Sequence, residues 1–289
     1  MSALSGFLRP PQRWLYPAIL ALIATPAIAA DRIAMRIEVS GLGGMPVATD
    51  HTTIEESGNT YAITGDLQTT GLAGLFQKFQ SKSSAHGKLG GSTGAQPEAY
   101  KADVRRDKDE RHDRVDFRTG VAASGSTVAP ASDAAPTPTR DTVDPLTAYF
   151  LVERRLGQGG NCTMTVPVFD GRHRYDLHFT DAGEQKLASS DDRHYSGDAK
   201  ACKMTRENVA GYPTDKVEMA QRGTVWYARL APGDLMLPVK LELVTDIGTV
   251  TGHLAEMHGR GADVSFADPK PADPKLPDPK LKADPKLRE

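Results

Sequence analysis

Eight histidines, at 51, 86, 112, 173, 178, 194, 253 and 258, and two cysteines, Cys162 and Cys202, are the side chains best suited to hold a metal, move a proton or attack a carbonyl. Their spacing argues against all three. His173 and His178 are five apart, as are His253 and His258, so on a strand each pair points to opposite faces. The chain contains no H-E-x-x-H motif, no C-x₂-C pair and no G-x-S-x-G nucleophile elbow in a strand-turn-helix context. Gly157-Gln158-Gly159-Gly160 has a phosphate-loop look, but it follows a helical stretch rather than a strand and lacks the lysine, so it reads as a helix stop. No acid, base and nucleophile can be named together. No cofactor or metal is expected, and an enzyme ranks behind two non-enzymatic readings.

The cysteines are better explained by compartment. Residues 1–30 contain no acidic residue. Arg9 and Arg13 precede the apolar run Trp14–Thr25, and small residues follow up to Ala29 and Ala30. That is the layout of a secretory signal peptide cleaved near Ala29, too short in its apolar part for a membrane-spanning helix. The mature protein is then expected in the periplasm. Two thiols in an oxidising compartment form one disulfide, so Cys162 and Cys202 are expected to pair, the alternative being two buried free thiols.

The 289 residues are 39% hydrophobic and 25% charged, with a formal net charge of −2. This excludes a polytopic membrane protein and a wholly disordered chain, and offers no basic surface for nucleic acid. After the signal, residues 31–266 read as a single β domain. It is interrupted at 119–140 by a flexible insertion made almost wholly of Ala, Ser, Thr, Pro and Gly. Residues 267–289 carry Asp-Pro-Lys four times, starting at 268, 273, 278 and 284, which predicts an extended disordered tail. That tail reads first as an inert, solvated spacer, the alternative being a tether to an envelope protein or the cell wall.

Alternation supplies the strands. Ile33, Met35, Ile37 and Val39 alternate with Arg32, Ala34, Arg36 and Glu38. Asp170-Gly171 is a strong hairpin signal, and folding about it pairs Val168 with His173, Val166 with Tyr175 and Met164 with Leu177, all on one face. Turns centred on Ser57-Gly58, Lys108-Asp109 and Asp246-Ile247 segregate side chains equally well. They pair Ile54 with Tyr61, Tyr100 with Phe117, and Leu243 with Val250. A helix is expected from Pro145 to Leu156, capped by Asp144 and stopped by Gly157, with Leu146, Tyr149, Phe150 and Leu156 as its apolar stripe. A short helical piece is expected within 71–80. Many strands and one or two short helices predict a large curved antiparallel sheet, a half-barrel or open barrel.

The most distinctive stretch is Val168–Leu177, in which Asp170, Gly171, Arg172, Arg174, Tyr175 and Asp176 are candidate motif or ligand-edge residues. Arg172, Arg174 and Asp176 can meet a polar head group at the sheet's outer face, or else Asp170-Gly171 simply turns the chain and Arg174 pairs with Asp176. This stretch resembles the VFDGRRRYDL-like signature of exported bacterial proteins grouped as domain of unknown function 3108. Asp144-Pro145-Leu146, Gly197-Asp198-Ala199 with Cys202, and Leu237-Pro238-Val239 extend the resemblance over roughly 31–265. The family carries no assigned activity, and the resemblance implies a curved antiparallel sheet similar in style to periplasmic lipid and lipoprotein carriers. The expected function is non-enzymatic binding of an apolar ligand, such as a lipid, lipoprotein or hydrophobic peptide, on the concave sheet. The alternative is an envelope-integrity scaffold. A cavity of several hundred Å³ inside the sheet favours the first, and a filled interior the second.

Overall fold

The computed structural model describes residues 31–71, 73–91, 94–126, 141–188, 193–211, 222–245 and 248–266. The expected signal peptide, residues 127–140 of the expected insertion and the Asp-Pro-Lys tail lie outside the described residues. The first half of the chain supplies β1 (Asp31–Gly41), β2 (Met45–Ser57), β3 (Thr60–Thr69), α1 (Ala73–Phe76), β4 (Phe79–Leu89), β5 (Ala95–Arg106), β6 (Asp109–Asp116) and β7 (Val121–Ser126). The second half supplies α2 (Pro145–Gly157), β8 (Met164–Phe169), β9 (Arg174–Leu187), β10 (Gly197–Ala210), β11 (Arg222–Ala228), β12 (Leu237–Thr245), β13 (Gly248–Gly259) and β14 (Ala262–Ser265).

The strands form one antiparallel sheet in the order β7-β6-β5-β4-β3-β2-β1-β13-β12-β11-β10-β9-β8, with β14 added beside β13. Two meanders thus run outward from the central β1·β13 pair, and α2 links the two edges. The sheet curls until those edges meet through side chains. Phe169 of β8 lies in one buried cluster with Ala85 of β4, Tyr100 and Ala102 of β5 and Val115 of β6. It is an open barrel, as expected, sealed along its seam by packing instead of a hydrogen-bonded ladder.

The segment before α2 shields the β8 edge: Val143 donates its N–H to Pro167 O at 2.9 Å and accepts from Phe169 N–H at 2.9 Å. At the other edge, β7 corrects the expectation of an unstructured insertion from 119. An edge strand needs backbone pairing on one side only, and the small residues of Val121–Ser126 supply it along β6.

Three hairpins keep the expected faces but slip by two residues. Val168 pairs with Tyr175 rather than His173, Ile54 with Ile63 rather than Tyr61, and Tyr100 with Val115 rather than Phe117. Alternation has period two, so it fixes which face a residue takes but cannot detect a two-residue slip. Turn chemistry decides the rest. Asp170 Oδ1 accepts the N–H groups of Arg172 and His173 at 2.9 and 2.7 Å, which draws both residues out of the strand into the turn. At the Asp107 turn, Asp107 N–H donates to Lys78 O at 2.7 Å and its carboxylate accepts Lys78 N–H, a tertiary anchor that local pattern does not show. The fourth hairpin has the expected register, with Leu243 opposite Val250 and Leu241 opposite Gly252.

The helix at Pro145–Gly157 forms as expected. Asp144 caps it, accepting Thr147 N–H at 2.9 Å and the Thr147 hydroxyl at 2.6 Å. Its C-terminus abuts the β11–β12 connection so closely that a Cβ at position 157 would fall 1.9 Å from Asp234 O, which requires glycine there. The piece within 71–80 shrinks to the single turn α1, with Leu75 79% exposed, because the ladder of β4 begins at Phe79 and claims the residues its last turn would need.

Candidate functional site

Along α2, Thr147, Ala148, Phe150, Leu151, Val152, Glu153 and Leu156 are all buried, so the helix is enclosed on most sides and lies inside the curl of the sheet. It does not fill the curl. A cavity of about 290 Å³ remains between one side of α2 and the concave face. Ile37 of β1, Ile54 of β2, Ile63 of β3, Val225 of β11 and Leu241 and Leu243 of β12 form its apolar wall, and Leu146, Tyr149 and Phe150 of α2 its opposite side. Alternate residues of adjacent strands line this wall because every second side chain points inward.

One end of the curl is shut by an ion network. Arg154 on α2 bridges Glu56 and Asp234 at 2.6 and 3.0 Å, and Arg260 at the end of β13 reaches the other oxygen of Glu56 at 2.7 Å. The residues toward the opposite rim, Asp50, Thr52, Leu241 and Leu243, are only half-buried. Access to the cavity is therefore from that rim.

Two carboxyl groups face this apolar space. Asp50 accepts a 2.8 Å hydrogen bond from the Thr52 hydroxyl, and burial still raises its pKa. Glu153 is 5% exposed, and its buried Oε2 has no hydrogen-bond partner. Desolvation, reinforced by the nearby charge of Glu56, pushes its pKa up to about 8. At neutral pH it is mainly a neutral acid. Neither residue was expected from the sequence, although Glu153 lies three residues after Phe150 and three before Leu156, within the apolar stripe of the helix.

The stretch 168–177 is placed elsewhere. Gly171 has φ +97, and a Cβ there would sit 3.2 Å from Asp113 Cβ, so this turn is tucked against β6 at the seam. Asp170 also accepts from the His173 ring at 3.0 Å, which together with its backbone donors holds its pKa below the usual carboxylate range despite burial. Arg174 is paired with Asp176. Tyr175 is buried under the Arg206 guanidinium, 3.6 Å from the ring centroid. Arg172 donates its N–H within the turn. None of Asp170, Gly171, Arg172, Arg174, Tyr175 and Asp176 lines the cavity, and of the six it is Gly171 that packs across the seam, against Asp113 and Val115.

Cys162 and Cys202 form a disulfide, as expected, with Cα atoms 6.1 Å apart and both residues fully buried. It ties the connection between α2 and β8 to β10, and so fixes the helix relative to the sheet.

A wider groove of about 920 Å³ crosses the outer face over β1 and β13. Its charged floor is internally satisfied: Arg36 bonds Glu38 and Glu256. The His194 and His253 rings lie against one another with centroids 4.0 Å apart. Among the described residues no group of three or more His, Cys, Asp or Glu is arranged to hold a metal ion.

No curated protein matches the chain. A solved structure described as a beta-barrel-like protein of domain of unknown function DUF1849 from Brucella abortus is similar to it at 8% identity and a TM-score of 0.46, covering 80% of this chain and 97% of that one. The family model described as protein of unknown function (DUF3108) matches residues 36–255, and the chain belongs to that family.

Proposed function

We propose that the protein is a non-enzymatic binder of an apolar ligand, of the lipid, lipoprotein or hydrophobic-peptide class, acting in the periplasm. The observation that carries this reading is the apolar cavity of about 290 Å³ between α2 and the concave sheet. A scaffold that works through its surface alone has no use for an unfilled interior, because empty apolar volume costs stability. The volume lies at the small end of ligand sites, which favours one chain or one side-chain cluster over a multi-chain lipid. The buried disulfide supports an oxidising compartment.

Native mass spectrometry of protein purified from its own cell envelope tests the reading. The expected spectrum shows an apolar adduct that is reduced in a Leu241→Trp variant, whose larger side chain occupies the cavity. An adduct-free spectrum, with no uptake of added chains, would leave the scaffold reading in its place.

A further inference from the structure

We propose that the cavity selects a single-chain amphiphile with a cationic head, an alkylammonium, whose nitrogen is held by Glu153. This rests on the apolar-binding reading and specifies its ligand. The geometry is an apolar space with a buried carboxyl on the helix side, Glu153, whose Oε2 has no hydrogen-bond partner, and a second carboxyl, Asp50 of β2, toward the half-buried rim. No Lys, Arg or His is among its lining residues. Arg154 is turned away into the ion network. Arg206, which shares the sheet interior, is stacked on Tyr175 and does not line the cavity.

Charge complementarity follows. A carboxylate or phosphate head would be desolvated beside two carboxyl groups with no donor of positive charge, which is costly. A neutral head gains at most an ordinary hydrogen bond. An ammonium gains charge-assisted hydrogen bonds and provides the counter-charge that the site lacks. It would be held by ionised Glu153, the carboxyl proton leaving to solvent. Near Glu153 lie Tyr227 of β11 and Glu56 of β2, and the cations at Glu56, Arg154 and Arg260, are bound to that carboxylate and do not line the cavity. Burial first, and then the nearby charge of Glu56, raise the pKa of Glu153, and a bound cation would offset both.

Calorimetric titration of the full chain with decylamine, decanol and decanoate, each below its micelle concentration at about pH 8, separates the possibilities. The expected order is decylammonium tightest, by about tenfold or more over decanol, with decanoate weakest. Glu153→Gln should bring decylammonium down to the affinity that the same variant shows for decanol, whereas Asp50→Asn, at the rim, should leave most of the amine preference in place. Circular dichroism melting confirms that each variant is folded. Decanol binding as tight as decylammonium, decanoate binding tightest, or an amine preference that survives Glu153→Gln would overturn the inference while leaving apolar binding intact. Failure of all three chains to bind would remove the apolar-binding reading, and this inference with it.

Discussion

The Tyr61 hydroxyl and Thr147 Oγ1 share a buried 2.8 Å hydrogen bond that joins residues 86 apart in sequence. Since the Thr147 hydroxyl donates to Asp144, the tyrosine O–H is the donor to Thr147. The Tyr61 ring also packs against Phe150, with centroids 5.1 Å apart. The start of α2 is thereby bolted to β3, while its far end is held by the Arg154–Glu56 pair. The helix is fixed at both ends, so the space beside it is pre-formed rather than opened by a ligand.

Asp144 is the key to that bolt, because it is fully buried and both caps α2 and accepts from Thr147. Asp144→Ala is expected to cost about 1–2 kcal/mol, the range of a lost helix cap. Asp144→Asn, which keeps an acceptor, should cost less. Urea denaturation measures both, and equal stability of wild type and alanine variant would show that the cap does not hold the helix.

Removing the disulfide frees a closed loop with a sequence separation of 40. Cys162→Ser with Cys202→Ser is expected to lower stability by about 2–5 kcal/mol. A melting temperature unchanged between the double variant and the oxidised protein would mean that the link constrains nothing.

The seam depends on Phe169, which is 0% exposed. Phe169→Ala is expected to cost about 3–5 kcal/mol through lost burial and a cavity. Because it loosens the meeting of the two edges, it should also expose β7 and β8 to limited proteolysis before the central strands. Digestion at the same sites and rate as the wild type would contradict a seam sealed by packing.

Glu153 makes stability pH-dependent with a definite sign. Unfolded, its carboxyl titrates near 4.5; folded, near 8. Below the first value both states hold the proton and the group has no effect. Between them only the folded state keeps it, so stability falls as pH rises, by at most about 1.4 kcal/mol per unit, and levels off above the second value. Asp144 acts in the same direction, but only up to about 6. The fall between about pH 6 and 8 is therefore expected to disappear in Glu153→Gln, measured as melting temperature against pH. A slope that persists in the variant would assign it to another group.

Much of the architecture is written in local pattern. The alternation of Ile33, Met35 and Ile37 gives the inward face of β1, and Asp144-Pro145 with Gly157 marks both ends of α2. Register was less legible, because a two-residue slip leaves every face unchanged and is decided by contacts such as Asp107 with Lys78. The site was the least legible. Val168–Leu177 draws the eye, and within it Gly171 is demanded by a turn that must fit against Asp113 with a positive φ. Glu153 looks like one more charge beside Arg154 and Arg155. Only the curl of the sheet around α2 turns its face inward, and that depends on contacts far apart in the chain.

The most direct measurement is the stoichiometry with which one apolar chain fills the cavity. Decanol titrated into the wild-type protein and into Leu241→Trp should bind at one molecule per chain in the first, and weaken by about tenfold or more in the second while the variant remains folded. Saturable binding that is untouched by filling the cavity, or no binding to the wild type at all, would contradict the account.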